Sequence, residues 1–143
     1  MRTCIVDSGF FIAAFREKDK NHESAQFNLK KIFEKFQIII NELIVHEVLT
    51  YIRRKDGHHE AVRASKALFD SSRIKIYVLN RNNIEESNEI FCKYNGKLDE
   101  FSFTDASLVN LMQQEHIKTI FSFDSDLDIF KEFNRLEIFT DLD

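Results

Sequence analysis

The sequence predicts an α/β fold with three layers, α/β/α, around a mostly parallel sheet of about five strands. Two observations predict it. Short, continuous apolar runs of strand length recur along the chain, and amphipathic stretches of helical period separate them. Continuous apolar runs suit strands buried on both faces, and strand–helix alternation places helices on both sides of a parallel sheet.

The first run is Thr3–Val6, apolar and β-branched, which meets Asp7-Ser8-Gly9. Gln37–Ile40 is the second and ends at Asn41. Ile74–Leu79 is the third, Lys118–Phe123 the fourth, ending at Asp124, and Leu136–Phe139 the fifth. Between them, Asn21–Phe36 carries Ala25, Leu29, Ile32, Phe33 and Phe36 at helical spacing. Glu42–Arg54 and His59–Asp70 read as two helices meeting at the turn dipeptide Asp56-Gly57. Asn82–Tyr94 carries Ile84, Ser87, Ile90, Phe91 and Tyr94, and Thr104–Glu115 carries Leu108, Val109, Leu111 and Met112. With no internal repeat, low-complexity segment or linker, residues 1–143 read as a single domain.

Composition narrows the class. A chain of 143 residues buries roughly 68–70% of its unfolded surface and needs no covalent staple. Its 43% hydrophobic and 31% charged residues exclude a disordered chain. Fifteen Phe and no Trp make Phe the main core filler, and zero Pro with three Gly imply tight connections. Cys4 and Cys92 form no CxxC pattern, which excludes a disulfide framework and leaves Cys4 as a small core residue. No segment reaches the ~18 apolar residues of a membrane span. The N-terminus reaches Asp7 too soon for a signal peptide, so the expected compartment is the cytoplasm. The formal net charge of −4 does not by itself point to nucleic acid. Basic residues do cluster at Lys30, Lys31 and Lys35, and at Arg53, Arg54, Lys55, Arg63 and Lys66. Solvated helix faces and a phosphate-contact surface are both open readings of them.

Four acids carry the candidate chemistry. In an open α/β sheet, ligands bind beyond the carboxyl ends of the strands. Asp7 and Asp124 stand where two strands should end, and parallel strands would aim them at one edge. Each could equally cap a following helix. Glu47 has Leu43, Ile44, Thr50 and Tyr51 as its neighbours on a helix, a largely apolar face. A carboxylate there loses water at a cost of several kcal/mol unless something compensates. A metal ion, an Arg or Lys partner, or an edge position that reaches water would each do so. Asp105 completes the S-x-x-D form of a capping box from Ser102, yet shares its face with Phe101, Leu108 and Val109. Several acids converging on one cleft cannot all stay ionised without a counterion. Oxygen-only ligands favour Mg2+ or Mn2+. Such an ion lowers the pKa of a bound water and screens the charge that develops during phosphodiester cleavage.

Other motifs fail on their details. Asp124, Asp126 and Asp128 imitate the start of a calcium loop, but Ile129 and Arg135 occupy the positions that need Gly and Glu. His58-His59 lacks the Cys or spaced His partners of a zinc site. Neither a phosphate-binding P-loop nor a dinucleotide fingerprint is present. An aspartate-nucleophile phosphatase wants a second Asp two residues after the first, where this chain has Gly9.

The order and context of the four acids resemble the PIN-domain family. Ile5-Val6-Asp7-Ser8-Gly9-Phe10-Phe11-Ile12-Ala13 looks like its opening strand and first acid. Asp19 and His22-Glu23-Ser24-Ala25 look like its Asp-x-x-His before a helix. Val45-His46-Glu47-Val48-Leu49 is similar to its helix-borne Glu, Phe103-Thr104-Asp105-Ala106 to its third acid, and Ser122-Phe123-Asp124 to its Thr/Ser-x-Asp. The resemblance runs from residue 3 to about 130. It departs in having Ser122 where Thr is commoner and in lacking a strongly basic tail. It implies Mg2+- or Mn2+-dependent RNA hydrolysis. Asp7, Glu47, Asp105 and Asp124 would hold the metal directly or through water. Ser8 and Ser122 would orient carboxylates, Asp126 would support them from behind, and Arg53, Arg54 and Lys55 would contact RNA. Small members resemble VapC-type toxins, which implies a homodimer and a cognate antitoxin. A PIN-type nuclease of RNA processing or decay, and a catalytically silent binding module on the same fold, are the alternatives.

Overall fold

The structure is a computed structural model and describes residues 1–140. Residues 141–143 of the expected single domain lie outside the described residues. The elements run β1 (Arg2–Val6), α1 (Ser8–Phe15), α2 (His22–Lys35), β2 (Phe36–Asn41), α3 (Glu42–Asp56) and α4 (His58–Phe69). They continue with β3 (Ile74–Tyr77), α5 (Arg81–Tyr94), α6 (Phe103–Glu115), β4 (Thr119–Phe121), a 3-10 turn (Ser125–Ile129) and β5 (Asn134–Leu136).

The five strands form one sheet in the order β3-β2-β1-β4-β5, and every pairing is parallel. The expected α/β class with a five-stranded parallel sheet flanked by helices is therefore what the chain adopts. From β1 the chain winds outward through β2 and β3, and the last two strands fill the other side. The strand order reverses between β1 and β4, and a crevice for ligands opens at such a point. Register carries this to the residue level. Ile5 pairs with Ile120 and Val6 with Phe121, so Asp7 and Ser122 leave the sheet side by side. The Asp7 N–H extends the ladder to the Phe121 carbonyl at 3.0 Å.

Packing explains the helices. α1 pairs with α2, α3 pairs with α4, α1 lies against α3, and α5 and α6 form a further pair. Phe10, Phe11, Phe36 and Phe121 are fully buried, in keeping with Phe as the core filler. Phe10 stacks on Phe123 with ring centroids 4.9 Å apart and meets the edge of Phe121. Each buried aromatic of this kind contributes roughly 1.5–3 kcal/mol from apolar burial. Cys4 is buried within β1 and unpaired, Cys92 is exposed and unpaired. Gly57 joins α3 to α4 at φ 91°, a conformation that favours glycine, so the Asp56-Gly57 turn is where the sequence places it.

Three elements differ from expectation. α1 has no periodic signature because it is apolar nearly all round: Phe10, Phe11, Ala13 and Ala14 are all buried. β5 is Asn134–Leu136 rather than Leu136–Phe139. Parallel pairing with β4 selects the polar Asn134-Arg135 pair for the edge strand, while Phe139 still reaches the core against Phe36. The helix expected to include Phe36 stops at Lys35, and Phe36 instead opens β2. Among the described residues no helix is long and apolar enough to cross a membrane.

Candidate active site

Asp7 leaves the end of β1 and is 7% exposed. It caps α1: one carboxylate oxygen accepts the Ser8 N–H at 2.7 Å, and the other accepts the Ser122 hydroxyl at 2.8 Å. Capping uses one carboxylate oxygen, and the other is bound by Ser122, so the cap does not by itself exclude a role in a site. Burial pushes the Asp7 carboxyl above the usual carboxylate range. The hydrogen bonds from Ser122 and Ser8 work against that shift, and the charges of Glu47 and Asp124 add to it.

Asp105 shows the same duality on α6. With Ser102 it closes a capping box: the Asp105 N–H donates to Ser102 Oγ, and the Ser102 N–H donates to the Asp105 carboxylate at 2.9 Å. Yet α6 is buried continuously from Thr104 to Met112, and Asp105 with it. Burial, opposed by the Ser102 hydrogen bond and reinforced by Asp7 and Asp124, raises its pKa to about 7. Asp7 feels the charges of Glu47 and Asp124, and Asp105 those of Asp7 and Asp124, so Asp7 lies within electrostatic reach of the other three.

Glu47 is half-buried on α3 and accepts the Ser8 hydroxyl at 2.7 Å. Asp124, half-buried, caps the 3-10 turn by accepting the Asp126 N–H at 2.9 Å. Its own N–H donates to Ser122 Oγ at 3.0 Å. Ser122, fully buried, thus ties the first acid to the last across 115 positions of sequence. Asp126 touches Asp124 through its backbone, while its carboxylate accepts the Glu100 N–H. Among the described residues none of the four acids pairs with a Lys, Arg or His side chain. The Arg or Lys partner that could have compensated Glu47 is not what the fold provides.

Charge and donor type suit a hard divalent cation. Among the described residues no three His, Cys, Asp or Glu side chains stand close enough for a ready-made cage of direct ligands. Arg53, Arg54 and Lys55 occupy the last turn of α3 and are exposed. Arg54 follows Glu47 by two helical turns, on the same face and roughly 10 Å along the axis. Arg53 and Arg54 line a groove between α3 and α4 with Leu49, Thr50, Ala61, Val62 and Ser65.

Sequence reasoning assigned no role to two residues that shape this region. Asn41 ends β2, fully buried, and joins α3 to α6. Arg135 of β5 donates to the Ser122 carbonyl at 2.9 Å while pairing with Asp128, and so braces the loop that carries Ser122 and Asp124. An apolar run closed by Asn was the visible signal for Asn41. Nothing local marks Arg135.

The PIN domain family model matches residues 4–134. No curated protein sequence matches the chain. Among solved structures, the VapC20 toxin of Mycobacterium tuberculosis, which cleaves the sarcin–ricin loop, superposes with a TM-score of 0.78 at 22% identity. That match covers 89% of this chain and 94% of the toxin. VapBC2 of Rickettsia felis, bound to a promoter DNA fragment, gives a TM-score of 0.70 at 11% identity, covering 94% of this chain and 97% of that one. A toxin–antitoxin complex from Klebsiella pneumoniae gives 0.68 at 17% identity, covering 92% and 95%. At these identities the likeness establishes a shared fold.

Proposed function

This chain belongs to the PIN-domain family, and from that premise we propose that it is a Mg2+- or Mn2+-dependent endoribonuclease, the toxin of a toxin–antitoxin pair. One observation carries the reading. Asp7 and Asp124 follow the two strands between which the order reverses, Asp7 feels the charges of Glu47 and Asp124, Asp105 feels those of Asp7 and Asp124, and no cationic side chain pairs with any of the four among the described residues.

Asp7, Glu47, Asp105 and Asp124 hold the divalent ion, directly or through water. Bound there, the ion would supply positive charge near the scissile phosphate and lower the pKa of a coordinated water. The chain's own groups set the geometry. Ser122 and the Ser8 N–H fix the two oxygens of Asp7, the Ser8 hydroxyl fixes Glu47, and the Asp126 N–H fixes Asp124. Burial raises the proton affinity of Asp7 and Asp105, so ionising them and taking up a cation are coupled events. Arg53, Arg54 and Lys55 supply phosphate contacts along the same helix as Glu47. The Rickettsia and Klebsiella structures are toxin–antitoxin assemblies, which supports a cognate antitoxin as the protein partner here. A homodimer acting on cytoplasmic RNA completes the reading.

The test is cleavage of ribosomal RNA by the purified chain. Cleavage should require Mg2+ or Mn2+, stop with a chelator, and be absent from Asp7→Asn. Chelator-resistant cleavage, or an Asp7→Asn protein as active as the wild type, rules the reading out.

A further inference from the structure

Glu47 and Asp105 ride on different helices, and one buried amide joins those helices. Asn41 is the last residue of β2 and is fully buried. Its side-chain carbonyl accepts the Leu43 and Ile44 N–H groups at 3.0 and 3.2 Å, capping α3. Its amide nitrogen donates to Ser107 Oγ of α6 at 2.9 Å. The Ser107 hydroxyl, also fully buried, donates a hydrogen bond to the Thr104 carbonyl at 2.6 Å, one residue before Asp105. These contacts fix which end of the amide is oxygen: it must accept at the α3 side and donate at the α6 side.

We propose that Asn41 is a positioning residue that sets Glu47 of α3 against Asp105 of α6. The inference rests on the nuclease reading for its catalytic consequence. A cap alone would need only an oxygen, which Ser supplies as well as Asn. Asn41 has in addition a donor that reaches a second helix 66 positions away in sequence. The relative placement of two acids from different helices then depends on a hydrogen-bonded chain, Asn41–Ser107–Thr104, rather than on apolar packing alone. Groups hydrogen-bonded directly to a metal-binding carboxylate typically change metal affinity or activity by roughly 10–100-fold when removed, and Asn41, which acts through the helices that carry the acids, belongs at the lower end of that range.

The experiment compares wild type, Asn41→Ser, Ser107→Ala and the double variant. Asn41→Ser keeps an α3 cap and loses the link, and Ser107→Ala loses the link from the α6 side. Readouts are Mn2+ affinity by calorimetry, the rate of ribosomal RNA cleavage at saturating RNA, the half-saturating RNA concentration, and the melting temperature. Each single variant should weaken Mn2+ binding and lower the saturated rate by about tenfold, with half-saturation within about twofold. The double variant should be no worse than the weaker single, because both remove the same link. Wild-type Mn2+ affinity in both singles overturns the proposal, as does a double variant whose loss is the product of the two singles. A rate loss that merely follows a lowered melting temperature overturns it too. A wild type that binds Mn2+ but cuts no RNA overturns the nuclease reading, and the Mn2+ affinities then decide the role of Asn41 alone. A wild type that binds no Mn2+ overturns both.

Discussion

The two ends of α3 carry opposite charges and opposite kinds of order. Near its start, Glu47 is half-buried and its carboxylate is held by the Ser8 hydroxyl. In its last turn, Arg53, Arg54 and Lys55 are exposed, and the neighbouring Asp56 is engaged by Arg16, the residue that follows α1. A half-buried acid held by a hydrogen bond has few positions open to it, so displacing it breaks that bond. An exposed cation samples many positions, and salt screens it. The acidic end should therefore decide whether chemistry occurs, and the basic end how tightly RNA is held.

The sharpest way to break this contrast is to neutralise the acids one at a time. Asp7→Asn, Glu47→Gln, Asp105→Asn and Asp124→Asn should each reduce metal-dependent RNA cleavage by more than the roughly 10–100-fold expected of a supporting group, measured as single-turnover rates. If one of the four leaves the rate within a few-fold of wild type, that acid does not belong to the set.

Asp105 gives the contrast a pH signature. Its folded pKa of about 7 lies above the ordinary carboxylate value. The folded state then holds the proton more tightly than the unfolded state, so this contribution to stability is present in acid and is lost as pH rises toward and through 7. The loss for the metal-free protein is on the order of a few kcal/mol. Melting temperature should fall between pH 5 and 8, Asp105→Asn should flatten the slope, and Mg2+ should restore stability most at the alkaline end. A melting temperature that rises over that range contradicts the burial of an uncompensated acid.

The serines that orient the acids come next. Ser122→Ala removes a hydroxyl shared by Asp7 and the Asp124 backbone, and Ser8→Ala removes the partner of Glu47. Each should cost about 10–100-fold in rate, Ser122 the more. Equal wild-type rates would mean that packing alone holds the carboxylates. The smallest effect belongs to the basic end. Arg53→Ala and Arg54→Ala should raise the half-saturating RNA concentration a few-fold and lower the salt dependence of binding by about one unit each, leaving the saturated rate unchanged. A lost saturated rate would move the arginines into the chemistry.

The acids were legible because strand ends are. Apolar runs stop at Asp7 and Asp124, and a parallel sheet puts such ends on one edge. Glu47 and Asp105 were legible as carboxylates on apolar helix faces. What sequence could not supply was pairing. Ser8 finds Glu47 39 positions away, and Asn41 finds Ser107 66 positions away, through contacts that only the sheet order creates. α1 escaped notice because a helix buried all round has no polar face to set a period, and β5 because edge pairing, not hydrophobicity, chose its residues. Asp7, Asp105 and Asp124 each cap an element with their carboxylates, and Asp7 and Asp105 also feel the charges of other acids, so capping alone does not decide against the proposed role.

The most direct measurement is the anomalous diffraction of Mn2+ bound to crystals of the protein. A peak among Asp7, Glu47, Asp105 and Asp124, with at least one carboxylate oxygen at direct-coordination distance and the peak lost in Asp7→Asn crystals, is the expected result. Mn2+ that binds only elsewhere, or no peak at all in that crevice at millimolar Mn2+, contradicts a single metal-binding acidic centre.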